Sequence, residues 1–199
     1  MKFFFFTGFS NKILGKKIYN IDKLFKKKNI HCEYLFQNNM NFFLNGDNEN
    51  HNSSDFIKKL KKKINNDKKF YFIGTSAGSF GALKYVSIFN PTKIICFSPF
   101  TILTKEAAKI DGRGNKELRK NLDKLENLGE KLEIKNILSD NFNYKSIYFY
   151  YARNNKEDSF QANAIANDLI NLIPINTTKH SLNFKDAQQI TNLILSHIK

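Results

Sequence analysis

Two glycines and a serine in the first half of the chain have the spacing G-x-S-x-G, in the run Gly74-Thr75-Ser76-Ala77-Gly78. A serine hydroxyl is a weak nucleophile at neutral pH, so it needs exposure, a nearby base and hydrogen-bond donors for the oxyanion. A tight strand-to-helix turn exposes the serine, and small residues must flank it because the turn strains the backbone. The apolar segment Phe70–Ile73 before the motif is typical of a buried strand. Ser76 is therefore predicted to be a nucleophile; the alternative is a packing turn in which it only caps the helix.

The general base is predicted to be His180, in a loop between the last predicted strand and the last predicted helix. It would otherwise be an ordinary surface histidine. The other histidines lie at the start of a strand, in an early loop and on the final helix; they are His31, His51 and His197. The acid is predicted to be Asp158, which follows a strand and would hold the histidine tautomer and stabilise the imidazolium. Glu157 is the alternative acid, and Asp158 could instead be a helix N-cap or first-turn carboxylate.

Two backbone amides are predicted to bind the oxyanion. Ala77 follows the nucleophile and begins a helix whose positive end faces the site. The second donor is expected from the loop after the first strand, where Gly8 permits an unusual backbone angle. The N–H of Phe9 is the preferred candidate, and that of Ser10 is the alternative.

Apolar runs alternate with amphipathic segments along the chain, which predicts an α/β fold. Buried strands separated by helices form a parallel sheet that helices cover on both faces. We expect a three-layer sandwich with a mostly parallel sheet of about six strands. The predicted strands are Lys2–Thr7, Ile30–Phe36, Lys69–Ile73, Ile94–Phe97, Ser146–Tyr151 and Pro174–Thr177. The predicted helices are Ile13–Lys28, one from Ser54 or Asp55 to about Ile64, Gly78–Phe89, Ser159–Leu172 and Lys185–Ile198, and the Asn-rich stretch 37–52 is predicted to be a loop.

Residues 1–199 are predicted to form one domain, in which residues 101–140 interrupt the alternation of strands and helices. Five leucines in this segment recur at steps of three and four and indicate one apolar helix stripe. They are Leu118, Leu122, Leu125, Leu128 and Leu132. An insertion at this point of such a sheet lies over the strand ends, where ligands bind. We expect a small cap-like insertion that shapes a pocket; the alternative is a plain surface excursion.

Composition and charge bear on where the protein is located and on what it could bind. The net charge of +14 permits binding of anions, but lysines interleave with apolar residues at helical spacing, which favours a solvated helix face. No nucleic-acid recognition motif of the usual kinds is present. The chain has no apolar run long enough to span a membrane and no signal-peptide cleavage site, so we expect a cytoplasmic protein. Cys32 and Cys96 lie in predicted strands and are expected to be buried small hydrophobes rather than a disulfide or metal site.

The order Ser76, Asp158, His180 and the strand–turn–helix context of the motif resemble the α/β-hydrolase superfamily. The resemblance extends from Phe3 to His180 and implies a reduced form of that fold, without its leading antiparallel strands. Thr7-Gly8 stands where the superfamily usually has His-Gly before the oxyanion residue.

More narrowly, the runs Gly74–Leu83 and Cys96–Pro99 are similar to small bacterial hydrolase-like proteins, many of which accompany capsule and other surface-glycan genes. Phe100 stands where that group often has glutamine. A second similarity is to short esterases that cleave pimeloyl methyl esters on acyl carrier proteins. They share the serine motif and the Phe-Ser-Pro after the next strand.

The leading prediction is a serine esterase, thioesterase or deacylase that works through an acyl-enzyme, with a role in surface-glycan metabolism implied by the resemblance. Its substrate would be a small-molecule or carrier-linked acyl group, and an acidic acyl carrier protein or a glycan is the candidate partner. The triad needs neither a metal nor an organic cofactor. The alternatives are an acyl-carrier methyl ester esterase, an O-acyltransferase with the same triad, and a non-catalytic partner-binding scaffold. A nucleic-acid binder is the weakest hypothesis, because basic charge alone supports it.

Overall fold

The apolar runs form one parallel sheet of six strands. The computed structural model describes residues 1–10, 12–37, 40–64, 69–110, 122–123, 126–127, 132–138, 146–165 and 170–198. The strands of the sheet are β1 (Lys2–Phe6), β4 (His31–Leu35), β5 (Phe70–Thr75), β6 (Lys93–Phe97), β7 (Ile147–Ala152) and β8 (Asn171–Ile175), and a separate hairpin is formed by β2 (Lys12–Ile13) and β3 (Lys16–Lys17). The strand order is β4-β1-β5-β6-β7-β8, and every pair is parallel. The predicted α/β class and six-stranded parallel sheet are confirmed.

Helices cover both faces of the sheet. The helices are α1 (Ile18–Lys26), α2 (Ser53–Ile64), α3 (Ala77–Lys84), α4 (Val86–Phe89), α5 (Lys105–Ile110), α6 (Lys156–Asn163) and α7 (Ala187–Ser196). Successive side chains of a strand point to opposite faces. Phe3 and Phe5 therefore pack with α1 and α7, whereas Phe4 and Phe6 pack with α2 and α3, and all four are fully buried. The two cores on either side of β1 give the three layers.

The hairpin shows that the predicted helix Ile13–Lys28 is wrong in its first part. Leu14 and Gly15 link the two short strands, and both have a positive φ, 50° and 78°. Positive φ at both central residues is the requirement of a type I′ turn, which suits the twist of a hairpin. Ile13 and Leu14 are still buried, so their apolar character is satisfied without a helix.

The last third of the chain also differs from its prediction. The predicted helix Ser159–Leu172 begins earlier, as α6, because the Asn155 side chain accepts a hydrogen bond from the Asp158 N–H and caps it. Its predicted end is wrong, because Asn171 and Leu172 belong to β8. The predicted strand Pro174–Thr177 likewise begins earlier, at Asn171, because Asn171–Ile175 pairs with β7. Pro174 lacks a backbone donor and is tolerated because β8 is an edge strand.

The described part of the Asn-rich segment, residues 37 and 40–52, is a loop, as predicted, yet it contributes Phe42, Phe43 and Leu44 to the core. Phe42 and Phe43 have φ of 53° and 60°, values that bulky residues rarely adopt. Tertiary contacts stabilise this backbone. The Phe42 N–H donates to Gln37 Oε1 at 3.1 Å, and the Tyr85 hydroxyl donates to the Phe43 carbonyl at 2.8 Å.

The segment 101–140 is described only in part. Of the five leucines in the predicted stripe, Leu122 and Leu132 are described and buried, whereas Leu118, Leu125 and Leu128 lie outside the described residues. The cap-like insertion stays a prediction. Among the described residues, no helix combines the length and the apolar character that a membrane crossing requires.

Candidate active site

Ser76 lies in a sharp turn between β5 and α3, with φ of 51°. Close packing around the turn explains its flanking glycines. A Cβ on Gly74 would lie 2.5 Å from Ser79 Cα, and a Cβ on Gly78 would lie 2.1 Å from the Phe6 carbonyl oxygen. Contacts this short do not occur in folded proteins. The helix can therefore approach the sheet closely enough to form the turn only because these residues have no side chain.

Three predicted site residues from distant parts of the chain lie together. His180 Nε2 is 2.9 Å from Ser76 Oγ, and His180 Nδ1 is 2.6 Å from Asp158 Oδ1. Ser76 comes from the end of β5, Asp158 from the first turn of α6, and His180 from the loop after β8. This linear arrangement is the geometry that a nucleophile, a base and an orienting acid require. Their catalytic roles stay a prediction.

The hydrogen-bond partners of Asp158 indicate which nitrogen of the His180 ring carries the proton. The Asp158 side chain has no exposure to solvent, whereas 36% of the His180 side chain is exposed. The second oxygen, Asp158 Oδ2, lies 3.4 Å from the Ala152 N–H. An ionised carboxylate only accepts hydrogen bonds. Hydrogen-bond chemistry therefore assigns the proton of neutral His180 to Nδ1 and leaves the Nε2 lone pair for the Ser76 hydroxyl.

The alternative residues do not join this cluster. Glu157 is partly exposed, and the acid against the His180 ring is its neighbour Asp158. His31 pairs with Glu33 at 3.1 Å on β4, and His197 contacts the Tyr150 hydroxyl at 2.6 Å at the end of α7. His51 is exposed in the early loop. Within the described part of the chain, His180 is thus the histidine that the fold brings to Ser76.

The two predicted oxyanion donors are close to Ser76 in the fold. Ala77 is the first residue of α3, and the N–H groups of the first helical turn have no acceptor within the helix. The Gly8 N–H donates to Thr75 Oγ1 at 3.2 Å, which ties the loop after β1 to the serine turn. The N–H of Phe9 has no acceptor among the described residues, and Phe9 and Ser10 both line the cleft at Ser76. Ala77 and Phe9 as oxyanion donors remain predictions.

Ser98 supports His180 and was not predicted from the sequence. It follows β6, is buried and has φ of 45°. Its hydroxyl donates to the His180 carbonyl at 2.6 Å, and its N–H donates to the Tyr150 carbonyl at 2.7 Å. Ser98 thus fixes the backbone of the histidine loop to the sheet. Its place in the Phe-Ser-Pro run directly after a strand was the available signal.

A second unpredicted residue, Gln161, supports the helix that carries Asp158. It is buried on α6, one turn after Asp158. Its Oε1 accepts from the backbone N–H groups of Thr101 and Ile102 at 2.7 and 3.0 Å, and its Nε2 donates to the Ile102 carbonyl at 3.1 Å. The helix that carries Asp158 is thereby attached to the start of the segment 101–140.

The hydroxyl of Ser76 faces a cleft of about 220 Å³. The described part of the predicted cap does not line it, and one wall is formed instead by the unpredicted hairpin. The lining residues are Gly8, Phe9, Ser10, Lys12, Leu14, Gly15, Thr75, Ser76, Phe97, Ser98, His180 and Ser181. Among the described residues, no three His, Cys, Asp or Glu side chains are close enough together to hold a metal ion.

Similarity to solved structures extends over nearly the whole chain. A capsule O-acetyltransferase of Neisseria meningitidis serogroup A aligns with 100% of this chain and 87% of its own, with 17% identity and a TM-score of 0.59. Carboxyl esterase 2 of the fungus Tuber melanosporum aligns with 99% of this chain and 77% of its own, at 14% identity and a TM-score of 0.56. The carboxylesterase CesB of Bacillus subtilis aligns with 99% and 83%, at 11% identity and a TM-score of 0.51. The sequence matches no protein-family model and no curated protein.

At these identities the similarity shows the fold alone. The chain has the α/β-hydrolase-type fold that carboxylesterases and a capsule O-acetyltransferase share. The predicted resemblance is confirmed at that level. Because one fold hosts many functions, the chemistry has to be argued from the site itself.

Proposed function

We propose that this chain is a serine-dependent acyl hydrolase that works through an acyl-enzyme. The observation that carries the proposal is the continuous hydrogen-bonded line from Ser76 Oγ through the His180 ring to the buried Asp158 carboxylate. A serine that only capped its helix would not need an imidazole at 2.9 Å or a buried counter-charge behind it. The fold shared with carboxylesterases supports the same class of reaction.

In the first half of the proposed reaction, Ser76 Oγ attacks the carbonyl carbon of an ester or thioester. Its proton passes to His180 Nε2, and Asp158 stabilises the resulting imidazolium. The N–H groups of Ala77 and Phe9 bind the oxyanion, which is the largest single contribution in many acyl-transfer enzymes. The tetrahedral intermediate then collapses: the bond from the acyl carbon to the leaving group breaks, the leaving group takes the proton from Nε2, and the acyl group stays on Ser76.

In the second half, water attacks the acyl-enzyme while His180 Nε2 accepts the proton of the water. Collapse of the second tetrahedral intermediate returns that proton to Ser76 Oγ and releases a carboxylic acid. The His180 side chain is partly exposed and lines the cleft at Ser76, which supports hydrolysis because water can enter that cleft.

A second candidate is an O-acyltransferase, in which a sugar hydroxyl takes the place of water. The specific observation in its favour is the full-length similarity to a capsule O-acetyltransferase, at the highest identity of the structures compared above. The role in surface-glycan metabolism is part of this proposal. The two activities share the same triad and differ in which acceptor reaches the acyl-enzyme, so product analysis with and without glycan acceptors separates them.

The decisive experiment is active-site labelling with a fluorophosphonate, followed by mass spectrometry of the modified peptide. We expect the wild-type protein to be labelled at Ser76, and Ser76→Ala to be unlabelled. Ser79→Ala is a matched control, because Ser79 is a fully buried serine on the same helix. Absence of labelling in a folded wild-type protein, or equal labelling of Ser76→Ala, would contradict the proposal.

A further inference from the structure

The cleft at Ser76 has an unbalanced positive charge on its hairpin wall. Lys12, at the start of β2, lines the cleft and is exposed. No aspartate or glutamate is among the described residues that line the cleft. The Asp158 carboxylate lies behind the His180 ring and is sealed from solvent, so it does not neutralise the opening.

A second lysine stands directly opposite the first. Lys12 pairs with Lys17 across the antiparallel hairpin, so both side chains project from the same face, with Cβ atoms about 5 Å apart. Like charges at directly opposite positions destabilise a strand pair. Neither lysine has an acidic partner among the described residues, although other lysines of the chain do; Lys59, for example, pairs with Asp47 and Glu49. An anion between the two ammonium groups would remove the repulsion.

The hairpin is also fixed in place relative to the catalytic loop. Lys16 faces the opposite side of the hairpin, and its ammonium group donates to the Lys185 carbonyl at 2.8 Å, five residues beyond His180. Ile13 is fully buried beneath the hairpin. Lys12, which lines the cleft at Ser76, and Lys17, its cross-strand neighbour, therefore extend from an anchored hairpin rather than from a free surface loop.

We propose that Lys12 and Lys17 form an anion-binding subsite, and that the substrate carries a carboxylate or phosphate group close to the ester that Ser76 attacks. This inference rests on the proposed function and specifies its substrate class. A carboxylate or phosphate at this place would accept charge-assisted hydrogen bonds from the two ammonium groups. Free phosphate esters, acidic sugars and phosphate-bearing carriers share this chemistry.

Two matched pairs of esters locate the charge. Mono-p-nitrophenyl succinate and its methyl ester differ only by a charge on the acyl side. 4-Acetoxybenzoate and its methyl ester differ by a charge on the leaving-group side; because the methyl ester also has the better phenolate leaving group, each kcat/KM is divided by the rate at which hydroxide hydrolyses that ester. We expect the wild-type protein to prefer the anionic member of one pair in kcat/KM, and Lys12→Met to lower that preference about two- to fivefold, the effect of an exposed ion pair. The preference should also fall as ionic strength rises.

The control variant is Lys61→Met, which removes one exposed lysine from α2, away from the cleft. It makes the same change in net charge and should leave the preference unchanged. If Lys61→Met and Lys12→Met had equal effects, general attraction by the basic surface would explain the preference, and the subsite would be refuted. A wild-type protein with no preference in either pair would refute it as well.

An NMR titration with phenyl phosphate separates failure of this inference from failure of the proposed function. We expect amide shifts at residues 12–17 and next to His180, and their loss in Lys12→Met. If Ser76 resisted the fluorophosphonate while these shifts appeared, the hydrolase proposal would fail and the anion subsite would stand. If Ser76 were labelled but phenyl phosphate shifted only residues remote from the hairpin, the subsite would be wrong.

Discussion

Replacement of Asp158 by asparagine is the sharpest test of the catalytic geometry, because the two side chains have nearly the same shape. Asp158 Oδ2 faces the Ala152 N–H at 3.4 Å, and Oδ1 faces His180 Nδ1 at 2.6 Å. A backbone N–H only donates, so the asparagine oxygen would stay on the Ala152 side and its NH2 group would face Nδ1. His180 would then accept at Nδ1 and carry its proton on Nε2, where it could no longer take the proton of Ser76.

The magnitude has two sources. The imidazolium formed during attack loses its counter-charge, which at about 4 Å between charge centres and an effective dielectric constant of about 20 is worth about 4 kcal/mol. That energy corresponds to about 10³-fold in rate. With the productive tautomer also disfavoured, we expect Asp158→Asn to lower kcat on p-nitrophenyl acetate about 10³- to 10⁴-fold.

The assay is steady-state hydrolysis of p-nitrophenyl acetate, with thermal unfolding followed by circular dichroism to establish that the variant is folded. Glu157→Gln is the matched control, since it removes the neighbouring carboxylate, which does not contact His180, and we expect it to retain wild-type kcat. A folded Asp158→Asn protein with more than about a tenth of wild-type kcat would refute the tautomer argument. A large loss in Glu157→Gln would show that the acid had been assigned to the wrong residue.

Three further predictions concern stability and reactivity. Gly78→Ala places a methyl group 2.1 Å from the Phe6 carbonyl, so we expect a loss of more than about 3 kcal/mol in urea unfolding, and a wild-type midpoint would show that the turn can relax. Burial raises the pKa of the Cys32 thiol to about 12, so we expect Ellman's reagent at about pH 8 to react much more slowly with the native protein than with the urea-unfolded protein; equal rates would contradict this. Burial, followed by the charge of Lys93, lowers the pKa of His197 from its ordinary value of 6.5, so the unfolded chain binds more protons as the pH falls through about 6.5 and stability is lost there. His197→Gln should lose less stability than the wild type between about pH 7 and pH 5, and equal losses in urea midpoints would show that His197 does not contribute.

The parts of the fold that the sequence predicts are those where local pattern and tertiary environment agree. The β1 phenylalanines are buried on both faces, and a continuous apolar run is the pattern of such a strand. The turn at Ser76 needs Gly74 and Gly78 for close packing, and the apolar run before these glycines already indicates a strand that leads into the turn. Asp158 and His180 could be selected because each follows a strand of a parallel sheet, and the carboxyl ends of parallel strands meet at one edge.

The hairpin and the Phe42–Phe43 loop could not be predicted for the opposite reason. Leu14, Phe42 and Phe43 adopt positive φ, which no intrinsic preference of these residues indicates. Contacts from remote residues offset that cost, such as the hydrogen bond from Tyr85 to the Phe43 carbonyl. Local pattern therefore predicted a helix through Leu14 and a plain polar loop around Phe42. Ser98 was not predicted for a similar reason. Its hydroxyl donates to the backbone carbonyl of His180, which lies 82 residues away in the sequence.

The residues proposed to carry out the reaction are thus held by other elements than the residues proposed to determine substrate specificity. Ser76 is fixed by the sheet. Asp158 is fixed by helix α6, which the hydrogen bonds of Gln161 attach to the start of the segment 101–140. The wall that carries Lys12 is a hairpin, which the Lys16 ammonium group ties to the Lys185 carbonyl beyond His180. We therefore expect exchange of hairpin side chains to alter the substrate charge that the protein prefers without moving Ser76 or Asp158, because a rigid scaffold positions a site while loops contribute specificity. This division is also why the motif leads to the proposal of a serine mechanism, whereas the proposed charge of the substrate rests on the wall that faces Ser76.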